Sequence, residues 1–219
     1  MAAPRLGLNA REYATLARLD SPERIQAFLN AIPANHEPDG ETVHSVRNVL
    51  RHRTAHCIEG ALVAACALWI AGERALVLHL DCAPHDNPHV LALFRRRGHW
   101  GALSKSNGAW LRYREPVYRT LRELAMSYFH EFFDVRGHKT LRAYSRPFDL
   151  RRVDPALWVT NPDACWEVHD RIAGLRHYPL LTAAQARALS RRDAHERRAA
   201  RLVQYPRPPA RAQLTRARR

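Results

Sequence analysis

Lysine is nearly missing from this chain: Lys105 and Lys139 are the only two, and the rest of the basic charge is arginine. Cysteine is sparse, four in 219 residues. Four cysteines behind a start that lacks an apolar leader, M-A-A-P-R-L-G-L-N-A-R-E-Y, do not make a secreted disulfide scaffold. Cys57, Cys66, Cys82 and Cys165 read instead as free thiols in a reducing compartment, and a cytoplasmic protein is expected. Long apolar runs are also lacking. The best one, Thr54 to Gly72, is broken by Glu59 and closed by Glu73-Arg74, which argues against a membrane span. Neither G-x-x-x-x-G-K-[ST] nor G-x-G-x-x-G occurs, so nucleotide binding has no support and no cofactor is expected.

The chain does have charge, +14 in all. From Arg187 to Arg219, eleven arginines stand against Asp193 and Glu196, which places +9 of the excess at the end. Arginine paired with abundant alanine reads as a coding bias more than as a selected patch. Such a tail can still bind RNA, DNA or anionic lipid without specificity. Residues 1–182 are expected to form one domain, since 46% hydrophobic content suffices for one good core. Residues 183–219 read as a basic Arg/Pro-rich tail. They carry Pro206, Pro208 and Pro209 and no sustained apolar face, so they are expected to be loosely helical and dispensable.

Periodicity places the elements. Ser21-Pro22 starts a helix that turns Ile25, Phe28, Leu29 and Ile32 inward. A short helix is expected over Thr42 to Leu50. The Cys57 helix is apolar nearly all round, hence central, with Thr54 as its cap and Gly72 as its stop. Strands follow at Ala75–Leu80, His89–Arg95 and Trp100–Lys105, the last two joined by a turn at Arg97-Gly98-His99. A helix is expected over Pro116–Phe133, then arginine-rich turns, a short strand at Trp158–Thr160 and a helix at Cys165–Ile172.

The chemistry concentrates at Cys57. A helix N-terminus carries about half a positive charge and favours thiolate over thiol. His89 heads a strand 32 residues later and, if the fold brings it close, can take the proton. His56 looks like a poor base, because neighbours on a helix point about 100° apart. The stretch H-L-D-C-A-P-H-D-N-P-H packs His79, Asp81, Cys82, His85 and His89 into eleven residues, dense with zinc-capable groups but without a standard ligand spacing; no metal is assigned. Lys105 to Arg119 mixes bases and aromatics and could stack nucleic acid, although Tyr113 and Tyr118 fit equally well as core.

The order helix-with-cysteine, strand, histidine-headed strand, turn, strand resembles the transglutaminase-like superfamily of papain-type folds. S-P-E-R-I-Q-A-F-L resembles the leader helix of bacterial members, S-V-R-N-V-L-R-H-R-T-A-H-C-I-E-G-A-L their nucleophile motif, and D-N-P-H-V-L-A-L-F their histidine strand. The resemblance spans roughly Ser21 to Lys105. It implies an α+β fold, the Cys57 helix packed on a small antiparallel sheet with extra helices around it. It also implies thiol-based acyl transfer or amide hydrolysis on a peptide or amide substrate, with Cys57 as nucleophile and His89 as base. The family aspartate, last residue of a W-x-x-x-D pattern, is replaced: Trp100-Gly101-Ala102-Leu103-Ser104 puts Ser104 there. Asn107 is a second candidate to orient the ring, in the papain manner. A degenerate scaffold that binds a partner or nucleic acid is the alternative, favoured by Ser104 and the basic tail.

Overall fold

The computed structural model describes residues 5–208. Two helices open it, α1 (Ala10–Ala17) and α2 (Pro22–Ala31), capped by Asn9 and by Ser21 with Pro22 in the first turn. Helix α3 (Val46–His52) begins later than the apolar pattern suggests. Ser45 is its N-cap, the hydroxyl accepting from the Asn48 N–H, and the first amides, Val46 and Arg47, donate to the carbonyls of Trp158 and Val159 in a distant loop. Trp158–Thr160 is accordingly a loop after a short 3₁₀ turn, and the strand expected there is not formed.

Helix α4 (Cys57–Ile70) is buried from Ile58 to Leu68, as its all-round apolarity requires. It lies on an antiparallel sheet built from β1 (Leu76–Cys82), β2 (His89–Arg96), β3 (His99–Leu103), β4 (Arg114–Tyr118), β5 (Leu141–Ser145), β6 (Phe148–Asp149) and β7 (His177–Pro179). The strand order is β4-β3-β2-β1-β5-β7, with β6 also on β1. Strand alternation divides the side chains into two layers. Val77, Val90, Ala92, Phe94 and Leu103 join the core of α4, while Leu76, Leu78, Leu80, Leu91, Leu93 and Ala102 meet Leu124, Tyr128 and Phe132. Between β2 and β3, Arg97 (φ 50°) and Gly98 (φ 83°) are both left-handed, the backbone that a two-residue hairpin turn demands.

The segment expected to be one helix over Pro116–Phe133 is three pieces: β4, α5 (Leu121–Met126) and a 3₁₀ turn at Phe129–Glu131. Pro116 fits because β4 lies at the sheet edge, where a missing N–H costs no ladder bond. Within the arginine-rich stretch, Leu141–Ser145 alternates buried and half-buried and forms β5 beside β1, a strand hidden by its arginine and short length. Helix α6 (Trp166–Ala173) lies where expected. Among the described residues no helix is long and apolar enough to cross a membrane, and all four cysteines are free thiols.

The described part of the C-terminal segment is docked. It carries α7 (Ala183–Arg187) and α8 (Ala194–Ala199). Arg192 is 6% exposed, its guanidinium 4.8 Å over Trp110 and 4.0 Å over Phe133. Farther on, Tyr205 exchanges two hydrogen bonds with the Asn107 amide and donates its hydroxyl to the Asn30 carbonyl at 2.8 Å. The hydrophobic pattern carried no sign of this, because the anchors are a cation on aromatic rings and backbone amides. The last eleven positions of the expected tail lie outside the described residues. Deleting the chain after Arg201 removes several net hydrogen bonds, a loss of about 2 kcal/mol, and is expected to lower the melting temperature by roughly 4–8 °C. A calorimetric scan of that truncation checks it; an unchanged midpoint would mean the segment contributes nothing to the fold.

Candidate active site

The site is set by how the chain enters α4. Arg53 ends α3 in the left-handed region (φ 57°), and Ala55 then bridges to Ala34, donating to the Pro33 carbonyl. Thr54 therefore cannot cap α4; His56 is the N-cap and Cys57 the first helical residue. His56 has extended backbone (φ −103°, ψ −168°), so the argument from helical spacing does not apply to it. Its ring and that of His89 are the two groups that draw the Cys57 thiol toward thiolate. The sulfur also lies 4.0 Å from the Pro88 carbonyl oxygen, and Cys57 as a whole is half-buried.

Burial alone would push the Cys57 thiol up. Hydrogen bonds and charge from His56 and His89 outweigh it and hold the thiol well below its ordinary range. The other thiols go the opposite way: burial pushes Cys82 and Cys165 up to about 12, and Cys66 up as well.

Behind His56 stands Glu59, one turn into α4 and fully buried. Its carboxylate accepts from the His56 and His44 backbone N–H groups at 2.9 Å, from the Thr42 hydroxyl at 2.9 Å and from the Asn35 amide at 3.2 Å. The His56 ring nitrogen Nε2 lies 3.3 Å from it and 2.8 Å from the Thr42 carbonyl. Burial opposes charge on both groups. The donors around Glu59 still bring it down to about 2, and Cys57 together with Glu59 raises His56 to about 11. The sequence offered one sign of this pair, an acid three residues after the cap position, the spacing of a capping box.

His89 is tied differently. Its Nε2 lies 2.7 Å from the Ser104 hydroxyl, and that hydroxyl donates to the Leu111 carbonyl. A carbonyl can only accept, so Ser104 gives its proton there and takes one from His89 Nε2–H. The ring is fixed with Nδ1 as the nitrogen left for sulfur. Ser104 is itself fully buried and pinned by Gln26, whose amide donates to the Ser104 carbonyl at 2.8 Å and accepts from its N–H at 3.0 Å. Gln26 was legible only as a lone polar residue beside Ile25, near the apolar stripe of α2.

Asn107 does not hold the ring; its amide is spent on Tyr205. The five zinc-capable groups between His79 and His89 do not converge either. His79 pairs with His177 at 2.9 Å, Cys82 donates to the Asp86 carbonyl and His89 faces Ser104. Among the bases and aromatics of 105–119, Tyr113 stacks on Phe94 and Arg114 bridges to Glu131 at 2.6 Å while lying over Tyr128. Those groups serve the fold. Compared with known proteins, the chain matches no family model and no curated protein.

Proposed function

We propose that this chain is a transglutaminase-like thiol enzyme, carrying out acyl transfer or amide hydrolysis through Cys57. The observation that carries the reading is a half-buried thiol on the first residue of α4, with His56 as the N-cap beside it and His89 heading β2, the strand on which α4 packs. The two imidazoles favour its thiolate. The two histidines divide the work. His56, backed by the Glu59 carboxylate, is the standing cation that favours thiolate. His89, fixed by neutral Ser104, is the proton carrier.

In this mechanism the Cys57 thiol passes its proton to His89 Nδ1 as the sulfur attacks the carbonyl carbon, and the negative oxygen turns to the N–H groups at the start of α4. His89 gives a proton to the leaving amine, leaving a thioester on Cys57. Water or a second amine, deprotonated by His89, then attacks the thioester and releases the thiolate. Serine at 104 fits this scheme because it has a proton for the Leu111 carbonyl; a carboxylate would set its lone pairs against that oxygen. The missing family carboxylate is supplied elsewhere, by Glu59 through His56.

The competing reading is a binding scaffold, and Ser104 in the aspartate position is what favours it. An activated ester separates the two. Incubation should leave one acyl group on Cys57 in the intact mass, and none in Cys57→Ala. His89→Ala should acylate at least about 100-fold more slowly. Ser104→Ala should be slowed too and lose about 1–3 kcal/mol of stability, because it orphans a ring N–H and a carbonyl. Acylation scattered over other residues, or equally fast without His89, would favour the scaffold.

A further inference from the structure

Away from Cys57 a second group of side chains converges without a structural task that needs all three. His85, on the loop between β1 and β2, meets Asp134 and His138, on the hairpin closed by the Phe133–Lys139 bridge. We propose that His85, Asp134 and His138 bind one divalent transition-metal cation of the zinc class.

The atoms are placed for it. One donor atom from each residue lies within 4.8 Å of the other two. Asp134 Oδ2 is 3.4 Å from His85 Nε2 and 2.8 Å from His138 Nδ1. Ligands about 2.0–2.1 Å from a tetrahedral zinc stand roughly 3.3 Å apart, so the ion enters with small shifts of the rings. The carboxylate is oriented in advance. Its other oxygen, Oδ1, accepts from the backbone N–H of Arg136 at 2.8 Å and of His138 at 2.9 Å, which aims Oδ2 at both imidazoles.

The two loops are also joined without the ion. Ala83 donates to the Thr140 carbonyl at 2.8 Å, and the Thr140 hydroxyl donates to Asp86. Side-chain exposure of 55% at His85 against 9% at Asp134 gives an entry path from solvent and a fixed floor. Two imidazoles and one carboxylate are the donor set of an open three-ligand site, with a fourth position for water. Bound there, the ion would clamp the loop whose far end carries Pro88 and His89. The sequence hid the site because two of its ligands lie about fifty residues beyond His85.

The test uses full-length, tag-free protein and zinc alone, titrated against a chromophoric chelator. One equivalent should bind in the wild type and equally in Cys57→Ala. His85→Ala, Asp134→Asn and His138→Ala should each weaken binding at least about tenfold. His85→Ala changes an exposed side chain, so its folding is not in question. Cobalt supplies a second readout: visible d–d bands without a thiolate-to-metal charge-transfer band. Binding weaker than about 1 mM, binding unchanged by His85→Ala and His138→Ala, or a thiolate band that disappears in Cys57→Ala would each overturn the proposal.

Discussion

Glu59→Gln should unfold the protein well below the wild-type temperature. The carboxylate is fully buried and receives only donors: two backbone N–H groups, a hydroxyl and an amide, with the His56 ring 3.3 Å away. Glutamine keeps the shape but turns an NH₂ toward some of those donors and leaves the imidazolium without its counter-charge. Removing one partner of a buried pair costs about 3–5 kcal/mol, and at this chain length that is a fall of roughly 6–20 °C. A pH series gives the same term a signature. Glu59 sits at about 2 in the fold against an ordinary 4.5. Its stabilisation is therefore complete above about 4.5 and disappears as the pH falls through about 2. The depression is worth about 3 kcal/mol, and the acid limb it produces should be missing in Glu59→Gln. His56 runs the other way: raised to about 11, it stabilises fully below about 6.5 and loses that as the pH rises through about 11. A Glu59→Gln protein melting within a degree or two of wild type would remove the carboxylate from the account of His56.

Gly60→Ala should also destabilise, against the usual sign. In an exposed helix interior the same change gains up to about 1 kcal/mol. Here a Cβ on Gly60 would stand 2.3 Å from Lys105 Cβ and 3.0 Å from its Cγ. The obstacle is the root of a side chain and cannot swing away. Lys105 is 2% exposed, donates its ammonium to the Ile32 carbonyl, lies under the Tyr205 ring and is brought down to about 8 by burial and by Arg112. Overpacking of this kind costs about 1–3 kcal/mol, or roughly 2–12 °C. The adjacent residue is Ser104, so the displacement should also loosen His89 and slow the chemistry of Cys57. A stabilised Gly60→Ala would contradict the close approach of α4 to the end of β3.

The fold was legible where the pattern was unambiguous. Helix α4 announces itself by apolarity on every face, and the hairpin of β2 and β3 by alternation around Arg97-Gly98. Cys57 and His89 could be picked out because each begins such an element, and Ser104 only because the resemblance to a W-x-x-x-D pattern pointed to its position. What stayed hidden depends on tertiary contact. Thr54 has the side chain of a cap, but Ala55 bridges to Ala34, and that bridge hands the cap to His56. His56 was dismissed by a helical-spacing rule that holds only inside the helix. Asn107 has the right chemistry for a ring partner, but the backbone of Tyr205, nearly a hundred residues away, claims its amide. Arg192 reads as tail charge and is in fact stacked over Trp110 and Phe133.

The most direct test of the central claim is the rate of iodoacetamide alkylation at each cysteine from pH 5 to pH 10, mapped by mass spectrometry on the folded protein. An ordinary thiol near 9.0 is about one-thousandth thiolate at pH 6. Held low by His56 and His89, Cys57 should react faster than the other three thiols at pH 6 and reach its limiting rate well below pH 9. Cys82 and Cys165, pushed up to about 12, and buried Cys66 should stay silent there. A Cys57 rate that climbs about tenfold per pH unit up to about 9, or labelling no faster than at Cys82, would contradict the account.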